Sequence, residues 1–133
     1  MIRFIIAILF VVLFLLFSYI LFIIEWIVGK INKRAKDVSS LRIVQWAFKV
    51  VLWISGVKLT VIGKENMPKE AALYVGNHRS FFDILIAYVQ CENLTGFVSK
   101  DSMNKVPSFR IWMRYLYCLF LDRKDIKQGM KTI

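Results

Sequence analysis

The sequence predicts a membrane-anchored α/β protein: a transmembrane helix, then an amphipathic membrane-associated helix, then part of an α/β domain. Three observations carry this expectation. Residues 4–24 hold no charged side chain and are nearly all Ile, Leu, Phe or Val. Hydrophobic residues make up 58% of the chain, against roughly 45–50% in an average soluble domain. Beyond residue 57, short apolar runs of strand length alternate with stretches of helical spacing, the pattern of layered α/β folds. The division that follows is 1–36 for the anchor and its basic flank, 37–56 for the amphipathic helix, and 57–133 for the amino-terminal part of the α/β domain.

The first helix is long enough to span. At about 1.5 Å per residue the uncharged run crosses a hydrocarbon core of about 30 Å. A signal peptide fits less well, because the run exceeds the usual apolar region and no small-x-small cleavage site follows it. Trp26 suits the interface, and Lys30, Lys33, Arg34 and Lys36 come next, with only Arg3 and the amino terminus on the other side. The basic excess predicts a signal anchor whose carboxy-terminal side faces the cytoplasm.

Residues 41–55 differ in kind. Arg42, Gln45 and Lys49 line one helical face, and Ile43, Val44, Trp46, Phe48, Val50, Val51, Leu52 and Trp53 wrap the remainder. Ser39 or Ser40 would cap the start and Gly56 would end it. A lysine at mid-bilayer costs about 2.5–3.5 kcal/mol, so this helix is expected to lie in or dip into the cytoplasmic leaflet rather than cross. Burial against the soluble part is the open alternative.

Strands are expected at 57–62, 71–76, 94–99 and 118–121, with a turn at 63–70. Phe81 to Gln90 reads as a helix, 101–117 is helical in pattern but interrupted by Pro107, and Asp125 would cap a last helix. Such a sheet is thin, and its apolar edge needs more chain or the membrane to cover it.

Nineteen Lys and Arg against nine Asp and Glu give a formal net charge of +10. A basic surface seeks nucleic acid, anionic lipid or phosphorylated substrates. Beside a spanning helix the basic cluster points to lipid and phosphate, and nucleic acid is not an expected partner. Cys91 and Cys118 lack metal-ligand spacing and no histidine cluster accompanies them, so reduced thiols and no metal are expected.

The chain's one histidine, His78, stands five residues before Asp83 in Asn77-His78-Arg79-Ser80-Phe81-Phe82-Asp83. Five residues turn an α-helix through roughly 500°, leaving two side chains about 140° apart. Both can face one substrate only if His78 precedes the helix, on a strand-to-helix turn. An imidazole there can take a proton near pH 7, and a carboxylate can fix its tautomer. Ser80-x-x-Asp83 equally fits a capping box, which would make Asp83 a helix cap.

N-H-x-x-x-x-D after a short apolar strand resembles the first motif of the 1-acylglycerol-3-phosphate (lysophosphatidate) acyltransferase family, within the glycerolipid acyltransferases. Gly63-Lys64-Glu65-Asn66-Met67-Pro68 is similar to its G-x-E-N-x-P turn. Phe97-Val98-Ser99-Lys100 with Pro107 resembles its lysine-then-proline segment, and Phe120-Leu121-Asp122-Arg123 resembles the end of its G-x-x-F-[IV]-[DN]-R motif. The order of motifs, over about the last three-fifths of the chain, is more specific than any one of them. Tyr117 stands where that second motif usually begins with glycine. The E-G-T-[RS] phosphate loop does not occur in the 133 residues, and the chain reads as truncated after the second motif.

The resemblance implies a partial glycerolipid acyltransferase domain and acyl transfer to the sn-2 hydroxyl of lysophosphatidate, giving phosphatidate. The donor would be acyl-CoA or acyl-carrier protein as co-substrate, with no cofactor. His78 would be the general base, oriented by Asp83, while Arg123 and Lys100 would bind the acceptor's phosphate. Arg123 pairing with Asp122 or Asp125, and Lys100 as a solvated lysine, are the plain readings beside this. Ile111, Trp112, Tyr115 and Leu116 would line an acyl groove or, more simply, form core. The alternative function is an inactive membrane-anchored remnant of the family. A hydrolase using Ser80 is weaker, since no G-x-S-x-G elbow is present. Nothing in the sequence indicates an oligomeric state.

Overall fold

The computed structural model describes residues 1–77 and 80–121. An unbroken apolar sequence with no proline lets helix α1 run Ile2–Ile31, and α2 follows at Lys33–Ile54. Asn32 between them is extended, gives its N–H to Val28 O at 2.8 Å, and accepts from the Ala35 N–H at 3.1 Å. One residue thus closes α1 and caps α2. The Arg3 side chain comes to rest against Gly56, so the two helices form an antiparallel hairpin.

The start of α2 corrects the sequence reading. Ser39 and Ser40 are not caps, because Asn32 supplies one earlier. Their hydroxyls bond Glu25 of α1 instead, Ser39 Oγ at 2.8 Å to each carboxylate oxygen and Ser40 Oγ at 3.0 Å to Oε2. Glu25 is buried, and a buried carboxylate requires such partners. The other end is as expected. Gly56 (φ 75°) follows the helix, with its N–H on Trp53 O and that of Val57 on Leu52 O, a Schellman closure.

The rest packs along one side of this hairpin. A short 3₁₀ turn at Lys64–Asn66 precedes α3 (Phe81–Gln90), and β1 (Val98–Lys100) leads through a 3₁₀ turn at Asp101–Lys105 into α4 (Pro107–Tyr115) and β2 (Leu119–Leu121). Pro107 begins α4 rather than interrupting a longer helix; at the first helical position its missing N–H costs nothing. β1 and β2 pair in parallel with Val98 opposite Leu119 and Lys100 opposite Leu121, so β1–α4–β2 is a small βαβ unit.

Two of the four expected strands form no ladder. Residues 57–62 and 71–76 have no neighbouring edge among the described residues, and Leu73 and Val75 stay almost fully exposed. The described fold is therefore mostly helical, with a two-stranded sheet. The core lies where hairpin and domain meet, around Phe22, Leu41, Val44, Tyr88, Trp112 and Leu116. Trp112 and Leu116 are thus core. Trp112 also gives its indole N–H to Ser18 Oγ at 2.8 Å, which satisfies that polar pair inside α1's apolar surroundings.

Candidate functional site

α3 carries the acidic half of the expected pair. Its first turn is a capping box. The Ser80 side chain accepts from Phe82 N–H at 3.2 Å, and Asp83 Oδ2 accepts from Ser80 N–H at 2.9 Å. Asp83 is half-buried at the third helical position, where the helix dipole favours a carboxylate. Its role as a cap is realised, and the same bond holds the carboxylate in a fixed place at the start of α3.

The far end of α3 is held by α2. Gln45, buried, gives its side-chain N–H groups to Tyr88 O at 3.0 Å and Cys91 O at 2.6 Å. The Tyr88 carbonyl also accepts from the Cys91 N–H at 3.2 Å, whereas among the described residues the Cys91 carbonyl, just past the helix end, has only Gln45. Sequence reasoning missed this clamp, placing Gln45 on a polar face. Its partners lie 43 and 46 residues away, and no local pattern announces them.

Phe81, Ile84, Leu85 and Tyr88 recur at helical spacing and face an apolar cavity of about 170 Å³ enclosed by the hairpin and α4. Asp83 stands about 150° round the helix from the centre of that stripe, on the side away from the cavity. Tyr88 is 2% exposed, and its hydroxyl has no hydrogen-bond partner among the described residues. Burial, then the nearby Cys118 and Cys91, push its pKa well above the ordinary phenol range. Burial likewise pushes the Cys118 thiol up, and both cysteines are free thiols.

Lys100 is exposed at the carboxyl end of β1 and makes no ion pair among the described residues. The carboxyl ends of parallel strands are where open α/β layers bind ligands. Its register partner Leu121 is the last described residue. His78, Arg79 and Arg123 lie outside the described residues, as do Asp122 and Asp125. Of the four expected site residues, the structure therefore locates Asp83 and Lys100. Among the described residues no group of three or more metal-ligating side chains occurs.

The glycine replaced by Tyr117 has a structural signature. Tyr117 takes φ 56°, the left-handed region that glycine favours. It closes α4 with its N–H on Arg114 O at 3.1 Å, and Cys118 N–H bonds Met113 O at 2.8 Å. The tyrosine is tied down from outside by its hydroxyl on both Asp37 carboxylate oxygens at 3.2 Å and by Lys33 over its ring at 5.7 Å. Gly96 faces this backbone, and a Cβ there would overlap Tyr117 O.

Comparison with known proteins bears on the same stretch. The family model described as acyltransferase matches residues 58–133. A probable 1-acyl-sn-glycerol-3-phosphate acyltransferase of Mycoplasma pneumoniae is 38% identical over 82 residues, covering 58% of this chain and 30% of that protein. A 1-acyl-sn-glycerol-3-phosphate acyltransferase of Borreliella burgdorferi is 29% identical over 82 residues, covering 61% and 33%. A probable one of Mycoplasma genitalium is 35% identical over 83 residues, covering 58% and 30%. The chain thus spans about a third of the length of the curated relatives it matches. No solved structure gives a significant match.

Proposed function

The chain belongs to the acyltransferase family, and on that premise we propose that it serves transfer of an acyl group to the sn-2 hydroxyl of 1-acylglycerol-3-phosphate, giving phosphatidate at the cytoplasmic face of a membrane. The observation that carries this reading is the family match over 58–133, which contains every expected site residue in motif order. The names of the three relatives support the acceptor. α1, long and apolar enough to cross a membrane, keeps the protein beside its lipid substrate.

His78 removes the acceptor's hydroxyl proton as the oxygen attacks the thioester carbonyl carbon, a role worth roughly 10²–10⁴ in rate. Asp83 steadies the imidazolium, and the tetrahedral intermediate collapses with loss of thiolate, which recovers the proton. The substrate hydroxyl replaces the serine of a hydrolase triad, so no covalent enzyme intermediate is needed. Acyl-CoA or acyl-carrier protein supplies the thioester. Lys100 and Arg123 bind the acceptor's phosphate; a guanidinium suits bidentate contact with it. Exposed Leu73 and Val75, in a segment with strand composition, support the finer fold reading of an α/β layer.

The test is phosphatidate formation from lysophosphatidate and acyl-CoA by membranes containing the full chain, compared with His78→Ala. Turnover that His78→Ala abolishes, with helical content retained, is the expected result. Turnover surviving in that variant would remove His78 from the mechanism. The alternative reading is a family member without turnover. Lack of product from the unaltered chain, with folding intact, would support that reading.

A further inference from the structure

Between them, α1 and α2 form an open groove of about 540 Å³, a size typical of small-molecule sites (roughly 300–1,000 Å³). We propose that this groove binds an anionic phospholipid, its acyl chain along the apolar floor and its phosphate at Arg42.

The floor is hydrocarbon, from Phe10, Leu13, Phe17 and Leu21 of α1 and Ile43 and Trp46 of α2; Arg42 is the one charged residue in the lining. That arginine is pre-positioned. Its Nη1–H donates to Gln45 Oε1 at 3.0 Å, and Gln45 is itself clamped by the Tyr88 and Cys91 carbonyls. Among the described residues no carboxylate forms an ion pair with Arg42, so its charge is uncompensated. A guanidinium held at one nitrogen and open at the others fits a phosphate better than a mobile lysine would.

The surroundings select lipid as the occupant. The rim lies between helices whose outer residues are apolar on α1 (Leu9, Leu13, Leu16 and Phe17 are each about half exposed or more). On α2 they are Arg42, Trp46, Lys49 and Trp53, all exposed at helical spacing. Alternating tryptophan and basic side chains mark headgroup depth, where anionic lipid is held. A ligand reaching this place must have a hydrocarbon tail, and the charge at the mouth calls for an anionic head. No residue of 57–121 lines the groove, so this inference stands apart from the acyltransferase reading.

The test uses the full chain reconstituted in vesicles of phosphatidylcholine and phosphatidylglycerol, then taken into mild detergent, with retained lipid measured by native mass spectrometry. The wild type is expected to keep phosphatidylglycerol in preference to phosphatidylcholine. Arg42→Gln should keep roughly tenfold less, the loss of one charge-assisted contact. Leu13→Trp fills the floor without touching Arg42 and should also empty the groove, which covers the case that Arg42→Gln fails to fold. Lys49→Gln, outside the lining, should retain lipid as the wild type does. Equal retention in wild type, Arg42→Gln and Leu13→Trp would overturn the site, as would equal retention of the two lipids. A lipid-free dimer cross-linked through a cysteine at position 13 would show a second copy to be the occupant instead, and would overturn it too.

Discussion

At the scale of the residue, Asp83 has two assignments that one experiment separates. As a cap it bonds the Ser80 N–H; as the proposed orienting group it must also be an anion. Asp83→Asn keeps the shape and removes the charge. If Asp83 is only a cap, the change should cost about 1 kcal/mol of stability and leave turnover alone. The proposed mechanism expects turnover to fall by roughly 10²-fold or more, and steady-state assays beside thermal melts distinguish the outcomes. Tyr117 supplies a sharper structural case. Its left-handed backbone costs a non-glycine residue about 1–2 kcal/mol, offset here by the Asp37 and Lys33 contacts. Both Tyr117→Ala and Tyr117→Gly lose those contacts, but only alanine keeps the strain. The glycine variant should therefore be the more stable by about 1 kcal/mol, and equal melts would show that φ at 117 carries no strain. Both residues were legible in the sequence as motif positions. The tether across 80 residues from Tyr117 to Asp37 was not, because it depends on how α4 meets α2.

At the scale of the element, what was legible is what is locally determined. α3 was placed at Phe81–Gln90 because a capping serine and an apolar stripe define it without reference to the rest of the chain. β1 and β2 came close to their expected positions, while 57–62 and 71–76 failed as strands because pairing needs an edge that local composition cannot guarantee. How α3 is fastened depends on Gln45, and this gives a prediction. Gln45→Leu leaves the Cys91 carbonyl without a partner, takes from Tyr88 O one of its two donors, and should destabilise the fold by about 1–3 kcal/mol, read in denaturant melts. A neutral result would mean that water serves those carbonyls instead. Tyr88, on the same helix, predicts the opposite sign. Its hydroxyl is buried without a partner among the described residues, so Tyr88→Phe should stabilise, by up to about 1–3 kcal/mol. Because the folded phenol resists ionisation more than the unfolded one does, the unfolded state loses its proton first. Stability is then unaffected below about pH 10, the ordinary phenol value, and falls as pH rises beyond it. Tyr88→Phe should flatten that alkaline decline, and an unchanged slope would refute the assignment.

At the scale of the whole molecule, the hairpin and the domain constrain one another. Composition alone suits α1 to a crossing, and the basic cluster after Trp26 suits a signal anchor. The contacts add what composition lacks. The domain follows Gly56, beside Arg3 at one end of the hairpin, and Tyr117 reaches Asp37 near the other end. Between them Ser108 bonds Leu15 O at 3.3 Å and Trp112 bonds Ser18, in the middle of α1. A crossing α1 would therefore draw α4, with Arg110 and Arg114, and exposed Lys49 of α2 through the hydrocarbon, each charge there costing about 2.5–3.5 kcal/mol. A hairpin lying along one leaflet places Arg42, Trp46, Lys49 and Trp53 at headgroup depth and submerges only the apolar side of α1. The expected outcome is that both ends of α1 are reached from the same side. Single cysteines at Ile2 and at Lys33, in sealed vesicles of known orientation, should both react with a membrane-impermeant maleimide added to the face that carries the domain. The native thiols offer little background, since Cys91 is buried and burial holds Cys118 in its unreactive protonated form. Protection of position 2 alone, with labelling only after the vesicles are opened, would mean that α1 crosses and that the contacts between α1 and α4 do not persist in the bilayer.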